Sequence, residues 1–357
     1  MKHTIIFKSK NRYSSFPLLK KLSDRILIGF FSAPIPDHMG LFWWNIFESF
    51  DQGETWRYTQ KGESPYDWNL LPAKSPREIS DRFICEHDGL KIFTGSYGFA
   101  FEKDRRISKS TSLFHKSFSD NLKTYQKIYE IPGIDIILTF PRSLQINDSK
   151  HENLILIPAY ALLSGSNLSR CFVWRSSNGG KDFHLWNMFP DGVDGNEMAF
   201  INTKNGILAH IRSDKHPYLM ESQSNDLGKT WTYPVNISHR FNNKIKSIIG
   251  GPPHLLRLRD NRILCSYGYR FTPMGIRAII STDEGKTWSA PIILREDGGY
   301  SSSLYKRRLK NKFKLPSAGN DIGYPVSIQI DDGSILTAYY ITCKDQITHI
   351  ATTKWKI

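Results

Sequence analysis

The chain has 357 residues, a net charge of +14 and a pI near 9.5, a length that accommodates one large domain or two ordinary ones. Aromatic residues make up 13% and long helix-favouring runs are absent, which argues against an all-helical fold; the basic balance favours an anionic partner such as an acidic glycan, anionic lipid head groups or nucleic acid. No apolar stretch is long enough to span a bilayer, and the four cysteines (Cys85, Cys171, Cys265, Cys343) lack metal-type spacing and read as reduced thiols.

In chain order, the first ten residues carry only the short apolar run Ile5-Ile6-Phe7 and no small-residue cleavage site. They predict no secretory signal, and hence a cytoplasmic or peripherally membrane-associated protein. From Phe16 onward an apolar strand, a short hairpin rich in Asp, Asn and Gly, and a second apolar strand recur six times, with starts at 16, 83, 144, 198, 255 and 326. Each interval has room for about four short strands. Six such units predict an all-β chain forming a single six-bladed β-propeller over 1–357, which closes on itself and so hides its sheet edges. Ile347 to Trp355 is expected as the strand that completes the last blade.

A second repeat follows the first five hairpins. The pattern Ser-x-Asp-x-Gly-x-Thr-Trp stands at Ser49 to Trp56, Ser224 to Trp231 and Ser281 to Trp288, with weaker copies at Ser176 to Phe183 and around Asp120. The Asp accepts backbone N–H groups inside a tight turn, the Gly takes a backbone conformation closed to other residues, and the Trp pins the turn to the layer beneath. These turns are expected to join the outer two strands of each blade, away from any site. One basic insertion interrupts the pattern at 300–319. There Tyr305, Leu309 and Phe313 recur every four residues among Lys306, Arg307, Arg308, Lys310, Lys312 and Lys314, a pattern suited to a solvated loop or to a helix resting on an anionic membrane surface.

The repeated turns resemble the Asp boxes, or bacterial neuraminidase repeats, of the sialidase superfamily. Gly250 to Leu258, Tyr267-Gly268-Tyr269-Arg270 and Asp321-Ile322-Gly323-Tyr324-Pro325 are also similar to segments of bacterial sialidase-like proteins. The likeness runs from about Arg12 to Tyr340. It implies a sialidase-like propeller and, for activity, an arginine triad on a substrate carboxylate, a Tyr nucleophile partnered by a Glu, and an Asp acid/base. The electrostatics are sensible: a ulosonic sugar carries its carboxylate on the anomeric carbon, where a neutral Tyr approaches and an anionic nucleophile is repelled.

Carried over residue by residue, the resemblance implies Tyr324 as nucleophile, Glu197 as the base that takes its proton, and Asp37, in Pro36-Asp37-His38, as acid/base. Arg212 matches the second arginine. The third is Arg270 or Arg277. The first departs from the family, whose opening blade reads Arg-Ile-Pro; here the segment is Ser15-Phe16-Pro17, and Arg12 lies three positions earlier. Trp43, Trp44, Tyr66 and Trp68 are candidates for a sugar platform, with core packing as the alternative, and His38 and His254 have no assigned role. The implied activity is a retaining exo-glycosidase releasing a terminal α-linked acidic ulosonic sugar, sialic acid or ketodeoxyoctonic acid (Kdo). The altered first blade and basic insertion lean toward a bacterial membrane glycolipid such as lipopolysaccharide. The other readings are a non-catalytic propeller binding an anionic glycan or a membrane partner, and a uronic acid polysaccharide lyase. No cofactor and no metal are expected. Nor is nucleic acid, because no basic face is interleaved with exposed aromatics.

Overall fold

In the computed structural model, the described residues are 1–33, 43–59, 82–87, 90–97, 100–102, 105–107, 111–118, 125–130, 134–139, 142–146, 154–163, 169–179, 182–213, 215–216, 218–240, 251–304 and 322–357. The chain forms two compact units: Met1–Pro65 with Ser238–Ile357, and Tyr66–Ile237. Both are built of antiparallel sheets.

The first unit holds three four-stranded sheets among the described residues. One runs Tyr13–Lys21, Ile26–Ala33, Trp43–Ser49 and Arg57–Tyr58, and a second His254–Arg257, Ile263–Tyr269, Met274–Ser281 and Ile292–Gly298. The third runs Gly323–Gln329, Ile335–Thr342 and Thr348–Trp355, and its fourth strand is Lys2–Phe7 from the other end of the chain. Neighbouring sheets pack face to face. Leu264, Ile276 and Ala278 meet Ile335, Tyr339 and Ile341 on one side of the third sheet. On its other side Ala338, Tyr340 and Ile350 meet Ile28 and Phe30. This is why all eight residues of Ile335–Thr342 are buried and why that strand is apolar without alternation.

In the second unit, one sheet comprises Arg82–His87, Leu90–Tyr97, Thr111–Phe118 and Tyr125–Glu130, and another Met198–Thr203, Gly206–Arg212, Leu219–Ser224 and Val235–Asn236. Between them in sequence, Leu154–Leu163, Ser169–Ser176 and His184–Asn187 share an inner edge made of two pieces, Ile134–Thr139 and Leu144–Ile146. The inner strand of this sheet therefore begins at Ile134 rather than near 144, because two apolar segments in tandem pair with one long strand. A two-stranded ribbon, Ala100–Glu102 with Arg105–Ile107, accompanies these sheets. Leu156 and Val173 pack on Met198, Phe200, Ile207 and Ala209.

The polar turns join the third and fourth strands of their sheets. At Ser49–Trp56 the Ser49 hydroxyl donates to Asp51 Oδ1 (2.8 Å), the Gly53 N–H donates to Ser49 Oγ (2.8 Å) and the Thr55 N–H to Asp51 Oδ1 (2.9 Å). Ser224–Trp231 and Ser281–Trp288 repeat this pattern. At the weaker copy, Asn178 accepts in place of the Asp. Two successive left-handed residues tighten each full turn, Gln52-Gly53, Leu227-Gly228 and Glu284-Gly285. A Cβ on Gly53 would lie 2.8 Å from the Leu336 side chain of the neighbouring sheet, so the turn also seats one sheet on the next. Trp231 stacks on Phe200 with centroids 5.1 Å apart. The copy around Asp120 lies outside the described residues. No helix among the described residues is long and apolar enough to cross a membrane.

Candidate functional site

In the second unit, Glu197 directly precedes Met198–Thr203 and Arg212 ends Gly206–Arg212, so hairpin register makes them the next cross-strand pair beyond Met198 and Ile211. Their backbones bond (Arg212 N–H to Glu197 O, 2.8 Å), and Arg212 Nη1 donates to Glu197 Oε2 at 2.6 Å. Glu197 is only 4% exposed. A buried carboxylate needs such a partner. The approach to the strand is held firmly: the Glu197 N–H donates to Asn196 Oδ1 (2.8 Å), and Asp194 accepts the Ser213 hydroxyl and the Lys215 N–H (3.0 Å). Gly195 has no room for a side chain, since a Cβ there would meet Cys171 Sγ at 2.3 Å. The structure thus brings Glu197 and Arg212 together as a preformed charge pair at one sheet edge.

In the first unit, Tyr324 is the second residue of Gly323–Gln329, at a φ of 49°. A bulky residue in the left-handed region costs about 1–3 kcal/mol and persists only where its surroundings impose it. The surroundings are a glycine shelf. Gly268 sits so close to the strand start that a Cβ on it would be 2.9 Å from Gly323 Cα, and the Gly251 N–H donates to the Gly268 carbonyl at 2.6 Å. Arg270 lies across the shelf, its Nε 3.3 Å from where a Gly251 Cβ would stand and its Nη2 3.4 Å from the Ile322 carbonyl. Among the described residues its buried Nε has no hydrogen-bond partner and its guanidinium no carboxylate partner.

Arg277 is used differently. It is 5% exposed, donates to the Arg295 carbonyl (2.6 Å) and the Pro273 carbonyl (3.1 Å), lies 3.7 Å from Glu296 and stacks 5.0 Å over the Tyr269 ring. Those contacts commit its guanidinium to holding Met274–Ser281 against Ile292–Gly298, whereas Arg270 keeps donors in hand. Arg12 is exposed and precedes its strand, with its N–H on the Ser9 carbonyl at 3.4 Å. Ser15, in the position of the family's first arginine, is 1% exposed.

The Ser327 N–H donates to His254 Nδ1 (3.3 Å), a structural bond. Cys171 and Cys265 are buried thiols outside any disulfide and Cys343 is partly buried. Asp37, His38, Tyr66, Trp68, the side chains of Cys85, Trp43 and Trp44, and residues 305–321, which carry the basic run, lie outside the described residues. Among the described residues no group of His, Cys, Asp and Glu could hold a metal ion. Sequence reading missed the glycine shelf and the partner of the Tyr324 ring, Phe16. Gly251 and Gly268 signalled the shelf, whereas neither Phe16-Pro17 nor Tyr324-Pro325 announces that the two rings meet.

No family model matches the chain and no curated protein matches it. Among solved structures, a Dyadobacter fermentans protein of unknown function is 22% identical over 99% of this chain and 98% of its own, with a TM-score of 0.72. A Hadza microbial sialidase is 14% identical with a TM-score of 0.64, covering 97% of this chain and 66% of its own. The leech intramolecular trans-sialidase is 11% identical with a TM-score of 0.62, covering 100% of this chain and 70% of its own. Trypanosoma rangeli sialidase, at 14% identity and a TM-score of 0.59, is matched over 57% of its length. These likenesses concern architecture, and on them the chain has an all-β, sialidase-like propeller fold.

Proposed function

We propose that the chain is a six-bladed, Asp-box retaining exo-glycosidase that releases a terminal α-linked acidic ulosonic sugar, sialic acid or Kdo, from a glycoconjugate. The observation that carries this reading is Tyr324 held left-handed on a glycine shelf beside an arginine with unused donors. Such strain, imposed by packing at a strand opening, is characteristic of a functional position. In this reading the Tyr324 oxygen attacks the anomeric carbon as a carboxylate base takes its proton, the role that the resemblance gives Glu197. Asp37 protonates the departing aglycone oxygen and then takes a proton from the water that cleaves the glycosyl–tyrosine bond, while the base returns its proton to the Tyr324 oxygen. Arg270 binds the carboxylate, in the bidentate manner suited to guanidinium, and the resemblance gives Arg212 the same kind of role; Arg277 serves the scaffold instead.

The test is turnover of 4-methylumbelliferyl α-glycosides of sialic acid and of Kdo. Tyr324→Phe should lower kcat/KM by about 10³-fold or more, and a fluorinated glycosyl donor should leave an adduct on Tyr324 detectable by mass spectrometry. If both glycosides bind but neither is cleaved, and binding survives Glu197→Gln and Asp37→Asn, the chain is a glycan-binding propeller instead.

A further inference from the structure

Two inner strands of the first unit open on the same device. In Tyr13–Lys21 the ladder to the next strand slips between Ser15 and Leu18, and in Gly323–Gln329 it slips between Gly323 and Val326. Each slip holds an aromatic residue followed by proline, Phe16-Pro17 and Tyr324-Pro325. Both aromatics are left-handed, with φ of 55° and 49°. Proline has no N–H to give the ladder, and a bulge re-aims the side chain that it carries. Here the two side chains are aimed at each other: the Phe16 and Tyr324 rings lie edge to face, centroids 4.6 Å apart at 86°. Tyr340, fully buried, lies 5.7 Å from each ring, at 65° to Phe16 and 30° to Tyr324, and Phe31 supports Phe16 at 6.2 Å. Phe16 and Tyr324 stay half-buried. The result is a right-angled aromatic corner over a buried floor.

We propose that Phe16 is a positioning residue for Tyr324: its ring fixes the direction of the phenol and forms the apolar wall of the pocket in which that phenol acts. The second half rests on the glycosidase reading; the first does not. The same bulge that re-aims Phe16 buries Ser15, so the strand opening presents an aromatic ring and no charged side chain from these two positions. Edge-to-face pairs have a preferred geometry, and a ring gripped on two sides has little rotational freedom.

The experiment uses the whole protein labelled with 13C in its tyrosine rings, with the Tyr324 signal assigned by Tyr324→Phe. Phe16→Leu should lower the order parameter of the Tyr324 ring measured by 13C relaxation, and Phe16→Tyr should restore it. With the 4-methylumbelliferyl glycosides, Phe16→Leu should lower kcat about 10- to 100-fold while KM stays within about threefold, again with rescue by Phe16→Tyr. An unchanged Tyr324 order parameter in Phe16→Leu overturns the proposal, as does unchanged kcat in an active enzyme. If the order parameter falls while the wild-type protein cleaves neither glycoside, Phe16 positions Tyr324 and it is the glycosidase reading that fails.

Discussion

The charge pair Arg212–Glu197 shows how a single residue type can be forced by burial. Glu197 is 4% exposed and Arg212 retains 22% of its side-chain surface, so removing the cation strands a carboxylate that cannot reach water. Arg212→Met should therefore cost about 3 kcal/mol in urea unfolding, whereas Glu197→Gln, which keeps an acceptor for the guanidinium, should cost about 1 kcal/mol. Equal costs would mean that the pair is relaxed by solvent. The asymmetry matters for testing the proposed function, because Glu197→Gln removes the proton acceptor of that proposal from a fold that is nearly intact. The same reasoning distinguishes Arg270 from Arg277. Both sit near the same strand ends in sequence, and only the carbonyls of Pro273 and Arg295 reveal that one guanidinium is committed to the sheet.

At the scale of elements, the polar turns carry a titratable contribution. Burial alone raises the Asp51 carboxyl, but hydrogen bonds from the Thr55 hydroxyl and amide and the Ser49 hydroxyl outweigh it and hold the group at about 2, against 3.8 for a free one. In Asp226 and Asp283 the same contest between burial and hydrogen bonds also ends in a lowered pKa. A group depressed in the folded state contributes its stability above the unfolded value and loses it as pH falls through the folded one. Urea midpoints should then decline from about pH 4 toward pH 2. Asp226→Asn should be less stable at pH 7 by about 1 kcal/mol, with a shallower decline; an unaltered slope would show that the turn carboxylates are not its source. These turns were legible in the sequence because a left-handed Gly and an acceptor at fixed spacing are written directly as residue types. The inner edge at Ile134–Thr139 was not, since two apolar segments pairing with one long strand look alike until register is known. The corner of Phe16 and Tyr324 was illegible for a similar reason. Residues some three hundred positions apart meet only when two bulges turn toward each other, and nothing local to either dipeptide says so.

For the molecule as a whole, the decisive contact is between the two ends of the chain. The run Ile5-Ile6-Phe7 reads as too short to matter, yet Lys2–Phe7 pairs with Thr348–Trp355 and supplies the outer strand of a sheet whose other three strands come from the far end. Both Lys2 and Lys354 bond Glu54 in the first polar turn, so the joined ends are tied to the neighbouring sheet as well. Thr348–Trp355 has only one residue that is not fully buried, and without its neighbour it would present a row of unpaired N–H and C=O groups, the usual template for aggregation. Deleting residues 1–8 should therefore lower stability by about 3–6 kcal/mol, from the lost ladder bonds and the exposure around Ile6 and Phe7. It should also shift the protein to higher-mass species in size-exclusion chromatography. A synthetic peptide of residues 2–8 added in trans should restore the elution position of the intact chain by adding back the missing strand. A deletion variant with unchanged elution and an unchanged melting temperature would show that the sheet is complete with three strands, and that the pairing of Lys2–Phe7 with Thr348–Trp355 contributes nothing to its stability.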